Sequence, residues 1–306
     1  MKGITTTRRE LIALTSAVAL GGLVPGGARA QPQMSLRRIP SSGELLPALG
    51  LGSTRPVEQI STAGPEPLTA VVRTLVEHGG RVVDTWPRNA DNDAAFGRIV
   101  NAPDLRDKLF ITTKIDRQGK DAGIAQFRDT QRLYGRETLD LAQIFSMIDL
   151  DTHWPSLEQW KATGAARYIG VTVAEERLHG DLERFLGRAR PDFIQVNYSI
   201  TEREAERRVL PTAADRGVAV LINRPFMNGA YFERLEGREL PDWAAELGCE
   251  TWAQLALKYI LAHPAVTCVL TETTRARHMA ENARAASGPL PDEAARERMR
   301  QLIATV

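Results

Sequence analysis

Two charged side chains, Asp84 and Lys114, each end a run of apolar residues that is typical of a buried strand. The carboxyl ends of parallel strands meet at one edge of a sheet or one mouth of a barrel, where catalytic residues lie. A carboxylate and an ammonium group placed there can form an ion pair and take part in acid–base chemistry. The alternative is that Lys114 is an exposed lysine at the end of a strand; the matching positions of the two residues favour the pair.

The elements that must position this pair are visible as eight apolar runs rich in β-branched residues. The runs are nearly continuous instead of alternating with polar residues, which is the pattern of parallel strands buried on both faces. The predicted strands cover residues 48–54, 81–86, 109–115, 141–149, 168–173, 193–199, 218–226 and 266–273.

Segments with helical spacing separate these strands. Residues 68–76 place their apolar side chains on one stripe, and the glycines at 79–80 are expected to end this helix before the second strand. Eight strands that alternate with helices over about 240 residues predict an α/β fold, the (β/α)8 or TIM barrel. Residues 37–47 are expected to form a β-hairpin ahead of the first strand, where it can plug the bottom of the barrel.

A doubly wound open sheet is the alternative fold. Its dinucleotide-binding form carries a Gly-x-Gly-x-x-Gly turn after the first strand, and a helix begins at that turn. The first strand of this chain has only Gly50 and Gly52, and we expect no helix to begin directly after it. The barrel is therefore the favoured fold.

Composition and charge exclude several classes of protein. Hydrophobic residues make up 43% of the 306 residues and charged residues 25%, which excludes a disordered chain, a collagen and a coiled coil. The formal net charge is +1, so the chain lacks the basic field of a nucleic-acid-binding protein. The two cysteines, Cys249 and Cys268, do not have metal-ligand spacing, so no metal site is expected; whether they pair is left open.

The first 30 residues are typical of a cleavable signal peptide. The chain begins with a positive charge at Lys2, continues with an apolar stretch over 11–24, and has small residues at Ala28 and Ala30 that mark a cleavage site. The apolar stretch is too short for a stable membrane anchor. We therefore predict a signal peptide over residues 1–30 and one barrel domain over residues 31–306.

The paired arginines Arg8 and Arg9 resemble those of a twin-arginine export signal, which addresses folded proteins to the twin-arginine export machinery. An ordinary secretory leader that contains two arginines is the alternative. In either case the mature chain leaves the cytoplasm, and we predict a periplasmic location.

Six segments, in order and on the right strands, resemble the aldo/keto reductases, and the likeness runs from about residue 36 to residue 286. The resemblance implies a (β/α)8 barrel and an NAD(P)-dependent oxidoreductase that acts on a carbonyl or alcohol group of a small-molecule substrate. The segments are LGLGS at 49–53, GRVVDT at 80–85, LFITTK at 109–114, LDLAQI at 139–144, YIGV at 168–171 and FIQVNYS at 193–199.

The resemblance also maps the four catalytic side chains of that family onto this chain. Asp84 and Lys114 match the pair that lowers the pKa of a tyrosine, which protonates the carbonyl oxygen as the nicotinamide gives hydride. Asn89 stands at the tyrosine position, and Phe145 stands at the position of the histidine that orients the carbonyl. No tyrosine occurs between residues 84 and 132 and no histidine between 79 and 152, so a shifted alignment restores neither. We therefore expect a degenerate active site.

Three functions are compatible with such a site. In the first, the protein is still a nicotinamide-dependent oxidoreductase, and water, Asp91, Asp93 or His153 supplies the proton. In the second, the site has been converted to non-redox chemistry. In the third, the protein is a silent nucleotide- or ligand-binding accessory protein. The first is our working prediction, with His153 expected to be an exposed residue at the start of a helix instead of a replacement acid.

The resemblance assigns the nicotinamide end of the cofactor site to the sixth and seventh strands and the end of the fifth. Gln195 is similar to the residue that holds the nicotinamide carboxamide, and Thr172 to one that assists it. Asn223, just before Arg224, stands where many members stack an aromatic ring on the nicotinamide, so we expect a weaker stacking platform at this end.

The adenosine end is assigned to the segment after the eighth strand. Glu281 and Asn282 match a pair that grips the adenosine, and Thr273 and Arg275 are assigned to the same site. Arg275 and Arg277 favour a 2′-phosphate. Glu272 stands where relatives place lysine or glycine near the 2′-phosphate, and a carboxylate there favours a free ribose hydroxyl. NADP is the family expectation, NAD is the alternative, and a site that binds no cofactor is the third alternative.

Trp86 follows the motif aspartate at a place where relatives often have a small residue. We expect its indole ring to fill part of the substrate pocket and to narrow the mouth of the barrel. No nucleic-acid partner is expected; the expected partners are a small-molecule substrate and the export machinery.

Overall fold

The apolar runs form strands close to their predicted positions in the computed structural model, which describes residues 33–305. Eight strands pair in parallel and in chain order, and the last pairs with the first, Val269 opposite Leu49, to close a barrel. Two short strands before the barrel pair in antiparallel fashion. The strands are β1 (Leu36–Arg38), β2 (Leu45–Pro47), β3 (Leu49–Gly52), β4 (Val82–Asp84), β5 (Phe110–Ile115), β6 (Leu139–Ile144), β7 (Ala166–Thr172), β8 (Phe193–Asn197), β9 (Ala219–Asn223) and β10 (Cys268–Glu272).

Helices follow the barrel strands along the chain, as the alternating pattern predicts. Most bury an apolar stripe and leave their polar side to solvent, whereas the helix over Trp252–Leu261 is buried throughout residues 254–261. The α-helices in the described part of the chain are α1 (Thr54–Glu58), α2 (Ile60–Ala63), α3 (Glu66–Glu77), α4 (Ala90–Val100), α5 (Lys120–Tyr134), α6 (Leu150–Thr163), α7 (His179–Arg188), α8 (Val209–Asp215), α9 (Ala230–Arg234), α10 (Trp252–Leu261), α11 (Ala276–Ala285) and α12 (Glu293–Ala304).

Helix α3 shows how the sequence sets these boundaries. Leu68, Val72 and Leu75 are buried on its inner face against the barrel. The chain leaves the helix through Gly79, whose φ of 86° is a left-handed conformation that favours glycine. The buried strand β4, which carries Asp84, begins three residues later.

The hairpin β1–β2 closes the amino end of the barrel. Ile39 and Leu46 are fully buried in one cluster with inward-facing residues of the strands, among them Phe110 and Phe193. The hydroxyl of Tyr168, on β7, contacts Ser42 at 2.8 Å. The expected plug is therefore present, and it leaves the carboxyl end of the barrel as the functional face.

The start of the first helix differs from the expected pattern. A helix does begin directly after the first barrel strand, because α1 starts at Thr54, so that expectation was wrong. Cys249 and Cys268 are both buried free thiols. The predicted signal peptide over 1–30 lies outside the described residues. Within residues 33–305, no helix is long and apolar enough to cross a bilayer.

Candidate active site

Asp84 and Lys114 lie side by side at the carboxyl ends of the neighbouring strands β4 and β5. The Lys114 ammonium contacts Asp84 Oδ2 at 2.5 Å, and the two side chains are only 2% and 8% exposed. Strand pairing places Asp84 opposite Thr112, and Lys114 follows two residues later on the same face of β5. The pair is thus positioned by the register of the barrel.

The Asp84 carboxylate is fixed by two further hydrogen bonds to Oδ1. The Thr112 hydroxyl donates one, and Gln143 Nε2 donates the other at 3.3 Å. Burial lowers the pKa of the Lys114 ammonium, while the charge of Asp84 and its hydrogen bond oppose this change. The carboxylate is therefore what favours a charged lysine at a site that water barely reaches.

Trp86 forms an aromatic cover over this ion pair, and the Phe145 ring packs against it with the ring centres 4.9 Å apart. The Lys114 Nζ atom lies 4.6 Å from the centre of the indole ring, within range of a cation–π contact. The indole N–H donates to Asp116 Oδ2 at 3.0 Å, and Gln126 holds the other oxygen of that carboxylate at 2.8 Å. Trp86 is therefore anchored over Lys114 at the barrel mouth.

Asn89, at the expected tyrosine position, is exposed and caps helix α4. Its Oδ1 atom accepts the backbone N–H groups of Asp91 and Asn92, both at 3.1 Å. This is the usual role of asparagine at a helix start. The side-chain oxygen is therefore engaged by the helix end.

Two of the three candidate replacement acids, Asp93 and His153, are held by backbone groups, and the third, Asp91, is exposed in the first turn of α4. Asp93 Oδ2 accepts the N–H groups of Arg88 at 2.7 Å and Asn89 at 2.9 Å, and burial raises the pKa of its carboxyl group. His153 is 1% exposed, and its Nε2 atom lies 2.6 Å from the carbonyl oxygen of Arg117, so the expectation of an exposed histidine was wrong. In the part of the chain that the structure describes, neither side chain is hydrogen-bonded to Lys114.

Gln195, in the middle of β8, and Asn223, at the end of β9, form an amide pair. Asn223 Nδ2 donates to Gln195 Oε1 at 3.3 Å and to the carbonyl oxygen of Val173 at 2.9 Å. The remaining amide atoms, Gln195 Nε2 and Asn223 Oδ1, are buried and have no hydrogen-bond partner among the described residues. One donor and one acceptor are thus unsatisfied at the same place.

Thr172 is paired with Gln195 in the register of β7 and β8, and Arg224 follows Asn223 in the chain. Both make contacts within the protein. The Thr172 hydroxyl accepts the N–H of Ser146 at 3.1 Å. Arg224 has a φ of 52°, a left-handed conformation unusual for a residue with a side chain. Its guanidinium group donates to the carbonyl oxygen of Ala174 at 2.9 Å and contacts Glu202 at 3.4 Å. The two contacts of Arg224 join the end of β9 to the segments that follow β7 and β8 at the mouth of the barrel.

A cavity of about 370 Å³ opens at the carboxyl end of β10. Thr273, Glu281 and Asn282, three of the residues expected at the adenosine end, lie in its wall together with Glu272. Arg275, expected in the same set, is the capping residue before α11 and is not part of the wall. The structure therefore brings most of the predicted adenosine-end residues around one cavity.

Sequence reasoning missed three residues that support the site: Thr112, Gln143 and Asp116. The first two carried a usable signal, because Thr112 precedes Lys114 by two residues and Gln143 is paired with Lys114 in the register of β5 and β6. Asp116 carried none, because its contact with Trp86 depends on how two loops meet in space.

Comparison with known proteins agrees with this geometry. The profile of the Aldo/keto reductase family matches residues 48–302. The chain belongs to this family. Among curated relatives, an uncharacterized oxidoreductase of Bacillus subtilis is 23% identical over 64% of this chain and 75% of its own length. A methylglyoxal reductase of Salmonella typhimurium is 26% identical over 78% of this chain and 86% of its own length.

Solved aldo/keto reductase structures share the barrel. One from Klebsiella pneumoniae, in complex with NADP and acetate, has a TM-score of 0.73 at 23% identity and covers 85% of this chain and 93% of its own. The holo form of one from Bacillus halodurans has a TM-score of 0.72 at 20% identity, with coverages of 88% and 96%. At these identities the likeness establishes the fold.

Proposed function

We propose that the protein binds a nicotinamide dinucleotide across the carboxyl end of the barrel and interconverts a carbonyl compound and an alcohol. The observation that carries this proposal is the pair of unsatisfied amide atoms, Gln195 Nε2 and Asn223 Oδ1. A primary carboxamide offers an acceptor and a donor that complement them. Because buried polar atoms without partners are costly, a ligand that satisfies both would be stabilised at this place.

The bound nicotinamide would supply the hydride for the carbonyl carbon. Gln195 and Asn223 would hold its carboxamide, and the buried Lys114 would place a positive charge behind the aromatic cover. Because Asp84 balances this charge, the ammonium would favour the negative charge that develops on a carbonyl oxygen only where that oxygen lies nearer to Lys114 than to the carboxylate. Trp86 would limit the substrate to one that fits beside the indole ring.

Donation of a proton to the carbonyl oxygen is the step that the side chains of this site support least. Neither Asn89 nor Phe145 can act as a general acid, and in residues 33–305 the hydrogen-bond partner of the Lys114 ammonium is Asp84 alone. We infer that water delivers the proton to the carbonyl oxygen. Loss of a positioned acid lowers a rate by about 10²- to 10⁴-fold, so slow turnover is expected.

A second candidate is an accessory protein that binds the nucleotide without turnover. The aromatic cover favours it, since Trp86 lies directly over Lys114 and is tied to Asp116. In that case the ion pair would serve stability, and the mouth would bind a ligand without activating it.

Calorimetric titration with NADH and NADPH, followed by stopped-flow oxidation of the bound nucleotide, separates these functions. The carbonyl panel begins with methylglyoxal, which the name of the Salmonella relative indicates. We expect binding and slow oxidation by the wild-type protein, and faster oxidation by the Asn89→Tyr, Phe145→His double variant. Binding without oxidation in either protein would support the accessory function, and absence of binding would contradict both.

We also propose that residues 1–30 direct the folded protein through the twin-arginine machinery to the periplasm. The sequence features support this, namely the paired arginines, the short apolar stretch and the small residues before residue 31. Fractionation of cells that express wild-type and Arg8→Lys, Arg9→Lys chains tests it. A mature chain that starts at Gln31 should appear in the periplasm for the wild type only.

A further inference from the structure

The cavity at the carboxyl end of β10 combines an aromatic wall with acidic side chains. Phe226, Phe232 and Trp252 supply the aromatic surface, and the ionisable residues in the wall are Glu272, His278 and Glu281. Two carboxylates thus face one space, and neither a lysine nor an arginine belongs to the described wall. Flat aromatic surface suits a purine base, and carboxylates suit the donor hydroxyls of a ribose.

Glu272 is held at the edge of this cavity by the first barrel loop. Its Oε1 atom accepts the backbone N–H of Arg55 at 2.8 Å, and its Oε2 atom lies 3.6 Å from the Arg55 guanidinium. The side chain remains 34% exposed. One carboxylate oxygen is therefore oriented by a backbone group, while the side chain keeps access to the cavity.

The arginines nearest to Glu272 in the sequence add no positive charge to the cavity wall. Arg275 and Arg277 are exposed, and neither belongs to the cavity wall. The Arg55 guanidinium is outside the wall and is already paired with the Glu272 carboxylate at 3.6 Å. A phosphate on the 2′-oxygen of an adenosine bound here would therefore meet carboxylates in a wall that contains neither lysine nor arginine. Like charges a few ångströms apart oppose binding, more strongly where water is partly excluded.

We propose that this cavity takes the adenosine end of NAD(H) and discriminates against NADP(H), with Glu272 as the specificity-determining residue. The proposal rests on the proposed function, in which the barrel binds a nicotinamide dinucleotide. It separates this chain from the solved relatives whose complexes contain NADP or NADPH. The free 2′-hydroxyl would donate a hydrogen bond to Glu272, and the 2′-phosphate would be repelled.

Calorimetric titration of the mature protein with adenosine 5′-monophosphate and adenosine 2′,5′-bisphosphate tests the cavity alone, because neither probe contains nicotinamide. NADH and NADPH are titrated in parallel. We expect the probes without a 2′-phosphate to bind about 10-fold more tightly or better. Glu272→Lys should reverse or abolish this preference, and Glu272→Gln, which keeps an acceptor for the Arg55 amide, should reduce it.

Glu137→Lys provides the matched control, because it makes the same charge change at an exposed position beside the amino end of β6. It should leave the preference unchanged. Equal or tighter binding of the 2′-phosphorylated probes by the wild type would overturn the proposal while leaving the proposed function intact. An unchanged preference in Glu272→Lys would also overturn it. Absence of binding by all four nucleotides would instead contradict the proposed function, and the discrimination with it.

Discussion

Among single residues, Trp86 has the largest influence on what can reach the ion pair. Its ring lies over the Lys114 ammonium, and its indole N–H is fixed by the Asp116 carboxylate. A buried amine whose pKa is lowered reacts readily with acylating reagents only if they can reach it. The accessibility of Lys114 is therefore a direct measure of the aromatic cover.

Removal of the indole ring should expose Lys114. In Trp86→Ala we expect acetylation of Lys114 by acetic anhydride to rise by about 10-fold or more, because the ring no longer excludes the reagent. Trp86→Phe keeps an aromatic ring and should change the reaction far less. Peptide mass spectrometry gives the modified fraction. Equal modification of Lys114 in the wild type and in Trp86→Ala would show that Trp86 does not shield it.

At the scale of the element, helix α4 depends on two side chains at its start. Asn89 caps two amides of the first turn, and Asp93 accepts the N–H groups of Arg88 and Asn89 from inside the helix. This reciprocal arrangement resembles a capping box, with the acid at the fourth helical residue instead of the third. It fixes the loop between β4 and α4, and hence the position of Trp86.

Loss of the Asn89 cap should lower the free energy of unfolding by about 1 kcal/mol. Asn89→Ala and Asn89→Tyr should both show this loss in urea denaturation, because neither side chain can accept the two N–H bonds. Asn89→Asp is the matched control, since it keeps the acceptor and should stay near wild type. If Asn89→Tyr is as stable as the wild type, the capping role is contradicted. The Asn89→Tyr, Phe145→His variant would then lose no stability at residue 89.

The raised pKa of the Asp93 carboxyl predicts a pH dependence with a definite sign. The folded protein holds this proton more firmly than the unfolded chain, whose reference value is 3.8. Stability due to Asp93 is therefore fully present below that value and falls as the pH rises through the folded pKa. The unfolding free energy of wild type minus that of Asp93→Asn should fall over this window in urea titrations. A rise would contradict it.

At the scale of the whole molecule, a buried polar network ties the carboxyl-terminal helix α12 to the barrel. Arg296 donates to Tyr198 at 2.9 Å and to Glu206 at 2.6 Å, and Tyr259 contacts the same carboxylate at 2.9 Å. The Arg296 side chain is 10% exposed. The charge of Glu206 is therefore balanced largely inside the protein.

Arg296→Met should lower the free energy of unfolding by about 3–5 kcal/mol. The substitution leaves the largely buried Glu206 carboxylate without the cation that is hydrogen-bonded to it. Arg298→Met is the matched control on the same helix. Arg298 is exposed and lies over the Trp243 ring at 4.4 Å, a contact that contributes about 1 kcal/mol at most. Thermal or urea unfolding of the two variants gives the comparison. Similar losses in both would show that the network adds nothing beyond a surface contact.

The sequence predicts the barrel well and its site in part, for physical reasons. Strands β3 to β10 could be located because burial on both faces leaves continuous apolar runs. Asp84 and Lys114 could be placed at one mouth because parallel strands share a direction. The anchoring of Trp86 by Asp116 could not be predicted, since it joins two loops whose approach depends on the whole barrel. The burial of His153 was missed because the start of α6 reads like an exposed helix end.

The most direct test is transfer of one deuterium from NADH that carries deuterium at both C4 hydrogen positions to the product of a carbonyl substrate. We predict a product alcohol that carries one deuterium, formed slowly by the wild-type protein and faster by the Asn89→Tyr, Phe145→His variant, as measured by mass spectrometry. Deuterium that stays on a nucleotide the protein demonstrably binds, in both proteins and with every carbonyl tested, would contradict it.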